Sequence, residues 1–434
     1  MIKRTGDCYT NIMTIDKNYI PVLRDSCSYT QFSSNMYTLC IDGEAPTKLQ
    51  INSITKSLLD LVNGTNNLEQ IAINFNKSQN KNFSVDDIVH VFNKQILGYG
   101  IFATDNVEKI KVKDEYLRLR FTLVPAFIVR KITPLFIPLF QRQVFLVLLT
   151  ASILLLAGSF LTHVNVSQVY HHAGKELLLY FLIINYISLL LHEFGHAAAC
   201  DTYGATSGDI GFGFYLVAPV FFSDVTDTWR LQKNQRLVVD FGGIYLQLIV
   251  CSALAICFYI TGNRLWLDVS FLIAVTLLVN INPFLRYDGY WILSDLLSIS
   301  NLKEKSMHTV GRFFGRMSGI NKTWKPDKRA LFLLTYGLLS IGITIAFVIY
   351  MLLFNGNSIL YFPVRLYAFV RQLLLETGTI TFDWLKDSLS ALFIPALFYI
   401  ILIRQIIVQT KKRYRRYSNE KIKKTEPSRL SLEN

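Results

Sequence analysis

Long apolar runs occupy most of the chain after about residue 140, whereas earlier residues alternate between apolar and polar positions. A helix needs about 20 mostly apolar residues to cross the hydrocarbon core of a bilayer. The runs predict six membrane-spanning helices, at 143–162, 176–200, 241–263, 269–285, 330–354 and 388–409. The pattern therefore predicts an α-helical polytopic membrane protein.

Two other apolar segments are not expected to cross the membrane. Residues 121–140 are interrupted by three prolines and an Arg-Lys pair, which favours an interfacial connector covering 111–142. Residues 358–376 are amphipathic and carry Arg365 and Arg371. We expect this second segment to lie on the outer surface of the membrane.

The first 110 residues predict a separate small α+β domain. Two strands are predicted at 36–41 and 47–51. Three helices are predicted at 52–62, at 68–75 and from Ser84 onward, and a short final strand at 101–102. Ser84 and Asp87 have the spacing of a capping box, which favours a helix start. This order of elements is typical of a winged-helix domain.

Winged-helix domains often bind DNA, but the charge of this one argues against it. Residues 30–105 hold five lysines, no arginine and seven acidic residues. A protein surface that binds a phosphate backbone needs a basic patch. The sequence therefore predicts no nucleic-acid partner, and it favours peptide binding by strand addition at a sheet edge.

Composition supports the membrane class, and the charge distribution predicts orientation. Of 434 residues, 51% are hydrophobic and 17% charged, and the formal net charge is +13. The 106–142 and 296–329 stretches each hold eight Lys and Arg, and the 411–434 tail is also basic. With six spans these stretches all fall on one side, which predicts a multi-pass protein of the bacterial plasma membrane with both termini cytoplasmic.

Neither the N-terminus nor the cysteines change this picture. The first thirty residues lack an apolar stretch of the kind found in a cleavable signal peptide, so insertion is expected to use the internal spans. The six cysteines form no CxxC pair and are expected to be free thiols. Cys200 lies four residues past His196 and could face a metal bound there, although helix packing is the favoured role.

The candidate chemistry lies at the end of the second apolar run, in His192-Glu193-Phe194-Gly195-His196. Two histidines four residues apart share one face of a helix, so both can ligate one Zn²⁺. Glu193 lies beside them, where a carboxylate can act as a general base. Asp288, expected to end the fourth span at the same depth, is the best candidate for a third ligand.

These two motifs together resemble the site-2 protease family of intramembrane zinc metalloproteases. The segment from Asn280 through Pro283 to Asp288-Gly289 matches that family's second motif, although the family's second proline is Leu285 here. The sequence around Asp288 looks most like that of the bacterial branch described as peptide zinc metalloproteases. The resemblance implies that His192, His196 and Asp288 bind Zn²⁺.

The same resemblance implies roles for three further features. Glu193 would be the general base, and Asn280 would help hold the substrate strand or the oxyanion. Gly242-Gly243 corresponds to a Gly-containing turn near the site, with helix packing an equally good explanation. The Gly-rich stretch at 208–222 is either a re-entrant hairpin that offers an edge strand to substrate or an ordinary amphipathic loop.

The N-terminal domain is similar to PqqD-like leader-peptide recognition domains. That similarity is carried by Lys48–Asn52 and by the hydrophobic patterns of 58–64 and 68–72. It implies that a leader-bearing precursor peptide is captured before cleavage. The predicted arrangement begins with a recognition domain (1–110), a connector (111–142) and a four-span protease core (143–300). A basic loop with two further spans (301–410) and a basic tail (411–434) follow.

These expectations favour one function and leave two alternatives. The favoured function is an intramembrane zinc metalloprotease acting in the maturation or export of a ribosomally synthesised modified peptide. The first alternative is a peptide export or immunity protein with structural zinc, although a structural site has no need of Glu193. The second is regulated intramembrane proteolysis of a membrane-bound regulator, for which the outer loops offer no room for a sensor domain.

Overall fold

The computed structural model of the protein describes residues 15–42, 47–80, 82–97, 99–103, 117–171, 175–215, 218–319 and 326–375, and separate positions between 381 and 410. The described part is mostly helical. The chain divides into two compact units. The first contains Met1–Glu115, Arg120–Gly213 and Phe221–Asn301, and the second contains Tyr116–Leu119, Phe214–Val220 and Leu302–Asn434.

The first unit begins with a small antiparallel sheet followed by three short helices. The strands pair in sequence order and are β1 (Cys27–Ser33), β2 (Met36–Ile41) and β3 (Thr47–Asn52). The helices are α1 (Ser53–Leu59), α2 (Leu68–Gln79) and α3 (Val85–Val91). The strands predicted at 36–41 and 47–51 are confirmed, whereas β1 was not predicted. The strand predicted at 101–102 is reduced to a single bridge between Leu23 and Phe102.

The ends of these helices follow from local side chains. The Ser84 hydroxyl accepts the backbone N–H of Asp87 and the Asp87 carboxylate accepts that of Ser84, which confirms the predicted capping box. Helix α1 ends at Leu59, before the predicted Val62. The reason is a turn in which the Asn63 side chain accepts two backbone N–H groups and Gly64 takes a φ of 76°.

The predicted connector contains a strand and irregular helix. Strand β4 (Leu117–Val124), which was not predicted, precedes α4 (Ala126–Ile132) and two short 3₁₀ turns that end at Phe140. The carboxylate of Asp209 accepts the backbone N–H of Ala126 at 2.6 Å and so caps α4. Among the described residues, no part of this segment qualifies as a candidate membrane span.

Four helices in the described part are long and apolar enough to cross a membrane: Arg142–His163, Glu176–Thr202, Lys233–Thr261 and Lys328–Ala346. The helices after the connector are α5 (Arg142–His163), α6 (Val166–His171), α7 (Lys175–Thr202), α8 (Lys233–Thr261), α9 (Arg264–Asn280) and α10 (Asp288–Leu296). Helices α5, α7, α8 and α9 share an apolar core that includes Leu156, Ile244, Leu267 and Ile273. These four candidate spans indicate a helical membrane protein.

The six-span count stays a prediction. The fourth predicted span, 269–285, is the helix α9, which has 17 residues. The first part of the sixth, 388–409, coincides with a shorter apolar helix, Asp387–Ile400. The basic tail at 411–434 lies outside the described residues. The predicted cytoplasmic location of both termini is not tested by these helices.

The predicted end of the fourth span is wrong by five residues. Helix α9 ends at Asn280, and residues 281–287 form a turn before α10 begins at Asp288. Pro283 cannot continue a helix, and the side chain of Asn282 accepts the backbone N–H of Phe284 at 2.9 Å. Asp288 therefore opens a new helix instead of ending a span.

The Gly-rich stretch after α7 forms a hairpin, not an amphipathic loop. Its strands β5 (Ile210–Tyr215) and β6 (Ala218–Ser223) join β4 in a sheet of order β4-β5-β6. Gly211 lies so close to the Phe121 carbonyl oxygen of β4 that a Cβ there would meet it at 2.7 Å. The glycine thus permits the close packing around these strands.

The second unit contains three further helices, α11 (Leu302–Met317), α12 (Lys328–Leu360) and α13 (Phe362–Leu375). Helices α11 and α12 pack closely at Gly337, where a Cβ would meet Val310 at 2.6 Å. The candidate span Lys328–Ala346 is the first part of α12. Helix α13 covers most of the amphipathic segment predicted to lie on the outer surface.

Candidate metal centre

The two predicted histidine ligands lie side by side near the end of α7. His192 and His196 are 3% and 6% exposed, and their Nε2 atoms are 3.1 Å apart. They face the same neighbour because residues four apart on a helix lie on one face. The apolar residues that precede them, from Leu177, form the membrane-length part of the same helix.

Asp288 completes a three-residue cluster with the histidines. Its Oδ2 atom is 2.9 Å from His192 Nε2, and its Oδ1 atom is 3.5 Å from His196 Nε2. Within the described residues, this is the group of His, Cys, Asp and Glu side chains that could hold a metal ion. The turn at 281–287 carries the chain from α9 to this position, and Gly289 packs against the Ile281 carbonyl there.

Hydrogen bonds made by the Nδ1 atoms determine the orientation of the two histidine rings. His196 Nδ1 donates to the backbone carbonyl of Val239 at 2.7 Å, and His192 Nδ1 donates to Gln247 Oε1 at 3.1 Å. A neutral imidazole that donates through Nδ1 has a lone pair on Nε2. Both Nε2 lone pairs therefore point into the cluster, as is usual for metal-binding histidines.

A divalent cation fits this arrangement. Two imidazole lone pairs and a carboxylate converge, and all three groups are acceptors that repel one another without a positive charge between them. The Oδ2 atom of Asp288 is buried and has no hydrogen-bond partner in the described part of the chain. Tetrahedral zinc with bonds of about 2.0–2.1 Å needs ligand atoms roughly 3.3 Å apart. The observed separations of 2.9, 3.1 and 3.5 Å bracket that value.

Three glycines allow α7 and α8 to approach closely enough to form the site. A Cβ on Gly195 would overlap the Gly242 carbonyl, and one on Gly242 would lie 2.6 Å from the Gly195 carbonyl. A Cβ on Gly243 would lie 2.5 Å from the Nε2 atoms of both His192 and His196. The two predicted roles of Gly242-Gly243 are therefore divided: Gly242 packs the helices and Gly243 makes room for the ligands. Both lie within α8, not in a turn as the resemblance implied.

The remaining predicted site residues occupy different positions. Glu193 is 7% exposed and follows His192 directly on α7. Asn280 is the last residue of α9 and is half-buried, so its proposed contact with substrate stays a prediction. Cys200 is buried among Ala198, Ala199 and their neighbours, which agrees with the favoured packing role.

The residues that orient the histidines were not found by sequence reasoning. Gln247 and the Val239 carbonyl lie on α8, far along the chain from the histidines they contact. A polar side chain inside an apolar run, as Gln247 is, was a signal that could have been used. A backbone carbonyl leaves no such signal in a sequence.

Replacing Gln247 with leucine is expected to weaken zinc binding roughly 10- to 100-fold, the usual effect of losing a partner of a metal-bound histidine. The leucine keeps the side-chain volume but removes the acceptor for His192 Nδ1. Competition with a chromogenic chelator measures the zinc affinity. An unchanged affinity would mean that this hydrogen bond does not orient His192.

Comparison with curated proteins finds a relative. Over 128 residues the chain is 27% identical to a Bacillus subtilis (strain 168) protein named "Putative peptide zinc metalloprotease protein YydH". The match covers 29% of this chain and 51% of that protein, so the chain spans about half the length of the curated relative it matches. No family model matches the chain. No solved structure matches it. The similarity is consistent with a metalloprotease.

Proposed function

We propose that the protein is an intramembrane zinc metalloendopeptidase of the site-2 type. The observation that carries the proposal is the convergence of His192, His196 and Asp288, with Glu193 next to the first ligand. The name of the Bacillus subtilis relative supports the same chemistry. The candidate spans support a location in a membrane, which we take to be the bacterial plasma membrane.

Each residue would have a defined part in peptide hydrolysis. His192, His196 and Asp288 would hold the zinc. Bound zinc lowers the pKa of a water ligand toward 7 and polarises a carbonyl group. Glu193 would accept a proton at its carboxylate and deliver it to the nitrogen of the leaving amine. The hydrogen bonds from His192 and His196 to α8 would keep both rings oriented throughout.

Substrate must reach the site in an extended form, because the peptide bonds of a helix are shielded by their own hydrogen bonds. Two strands of the sheet β4-β5-β6 follow α7 closely in the chain, since β5 begins eight residues after Thr202. An exposed strand edge can bind an extended peptide by adding it as a further strand. We therefore assign substrate binding to this sheet, with Asn280 as a further contact.

The substrate class we propose is a ribosomally synthesised peptide, matured or exported with this protein. The N-terminal sheet and helices, interpreted as a PqqD-like domain, would capture its leader. The acidic balance of that domain supports a peptide partner instead of a nucleic acid. The position of Glu193 beside the ligands favours catalysis over the structural-zinc alternative, which has no use for a general base.

Removing the metal is the direct test of this proposal. Protein purified in detergent is expected to contain about one zinc per chain, as a three-ligand catalytic site holds one ion. Phenanthroline is expected to abolish cleavage of short peptides encoded beside the gene, and added zinc to restore it. Mass spectrometry of the products measures cleavage. Cleavage that persists in zinc-depleted protein would contradict the proposal.

A further inference from the structure

The N-terminal sheet packs on the segment that leads into α8, within the same compact unit. Phe32 of β1 stacks on Trp229 with ring centroids 5.9 Å apart. The Lys48 ammonium of β3 is 2.8 Å from the Asp227 carboxylate, and the Thr30 hydroxyl donates to the Arg230 carbonyl at 2.8 Å. Aromatic stacking combined with an ion pair makes this a specific interface and not a loose tether.

Arg236 links this interface to the protease core. Its guanidinium carbon is 4.5 Å from the centre of the Phe32 ring, and its Nε donates to Asp295 Oδ2 at 2.9 Å. Its Nη1 also donates to the Leu231 carbonyl at 2.9 Å. The residue is 3% exposed. A buried cation needs compensation, which here comes from a carboxylate, a carbonyl and the face of an aromatic ring.

Asp295 belongs to the helix that carries the third metal ligand. Asp288 and Asp295 are seven residues apart on α10, so they lie on one face about 10 Å apart. The start of α10 is held where Gly289 packs against the Ile281 carbonyl. Arg236 holds the other end, and both contacts determine where the Asp288 carboxylate lies.

One face of α8 therefore supports all three ligands. Its residues 236, 239, 243 and 247 follow helical spacing. Val239 and Gln247 orient the two histidines, and Gly243 provides room for them. Arg236 adds the connection to α10. It is the member of this face that also contacts the N-terminal domain.

We propose that Arg236 is a positioning residue through which the docked N-terminal domain holds α10, and with it Asp288, in the metal-binding position. The ring of Phe32 shields the guanidinium from water and strengthens its pairing with Asp295. The N-terminal domain thus contributes to the metal centre in addition to any role in peptide capture. The inference rests on the metal site of the proposed function.

Four variants of the full chain test this coupling, with zinc affinity as the first readout. Arg236→Met removes the charge at similar length and is expected to weaken zinc binding about tenfold or more, as for other residues that support metal ligands. Arg236→Lys keeps the charge without the planar guanidinium, and its zinc affinity is expected to lie between those of wild type and Arg236→Met. Phe32→Leu, in the other domain, is expected to weaken binding roughly threefold to tenfold. The combined variant Phe32→Leu, Arg236→Met is expected to match Arg236→Met alone, because Phe32 acts through Arg236.

A matched control is Arg264→Met. Arg264 pairs with Asp268 of its own helix α9 at 3.7 Å and donates to the His163 carbonyl of α5, so these two partners lie outside both α10 and the N-terminal sheet. The Arg264 side chain is 37% exposed, and exposed charges contribute little, so its removal is expected to leave zinc affinity within about twofold of wild type. A general loss of stability would lower the yield of folded protein without this ordering of affinities.

The outcomes separate the coupling from the proposed function. Zinc affinities of Phe32→Leu and Arg236→Met within twofold of wild type, or additive losses in the combined variant, would overturn the coupling. Affinity is measured without peptide, by chelator competition. If the affinities fall as expected while wild type cleaves no peptide, the coupling stands and the proposed protease function fails.

Discussion

Replacing Glu193 with glutamine is expected to abolish peptide cleavage and leave zinc binding intact. Glutamine has the same shape but cannot accept the proton, and loss of a general base typically costs 10²–10⁴-fold in rate. The metal ligands are His192, His196 and Asp288, so the substitution removes none of them. Zinc content and the rate of peptide cleavage, measured on the same purified sample, test both halves of this prediction.

A second glutamate on the same helix provides the control. Glu176 lies near the start of α7 and is exposed, nearly five turns (about 4.7) from Glu193. Glu176→Gln is therefore expected to cleave peptide at the wild-type rate. Cleavage by zinc-loaded Glu193→Gln at a rate close to wild type would show that another group accepts the proton.

Replacing Gly243 with alanine is expected to destroy the metal centre. The added methyl group would lie 2.5 Å from His192 Nε2 and from His196 Nε2, the two atoms that would bind zinc. Closely packed interiors do not absorb an overlap of this size without displacement of a neighbour. We expect zinc affinity to fall by at least about 100-fold, the upper end of effects on supporting residues, and cleavage to be lost with it.

Gly158 is the matched control for this substitution. It lies in the membrane-length helix α5, and a Cβ there would meet no atom within 4 Å. Alanine favours a helix over glycine by up to about 1 kcal/mol, so Gly158→Ala is expected to be neutral or slightly stabilising. Metal analysis and thermal unfolding distinguish the variants. Normal zinc content in Gly243→Ala would mean that α7 and α8 can separate without loss of the site.

Much of the candidate site could be predicted because its chemistry depends on local spacing. Two histidines four residues apart on a helix share a face whatever surrounds them, and Glu193 lies between them. Asp288 could be found because of the motif that contains it, although it opens α10 instead of ending a span as predicted. The structure brings its carboxylate to within 2.9 Å of His192 Nε2.

Other features could not be predicted because they depend on which helices are neighbours. The acceptors for the histidines, Gln247 and the Val239 carbonyl, are selected by the packing of α8 on α7. The sequence does not predict strand β4, since an isolated basic segment gives no sign that a distant hairpin will pair with it. The end of α9 at Asn280 depended on a local turn that a hydropathy pattern does not resolve.

The sequence by itself determined the membrane class, the helical faces and the donor atoms, because hydrophobic length and residue spacing act locally. Only the tertiary structure decided how those donors are arranged. Gly195 and Gly242 let two backbones approach, α8 orients both imidazoles, and Arg236 connects the N-terminal sheet to the helix of Asp288. Such contacts join residues far apart in the chain, and they depend on the free energy of packing instead of local pattern.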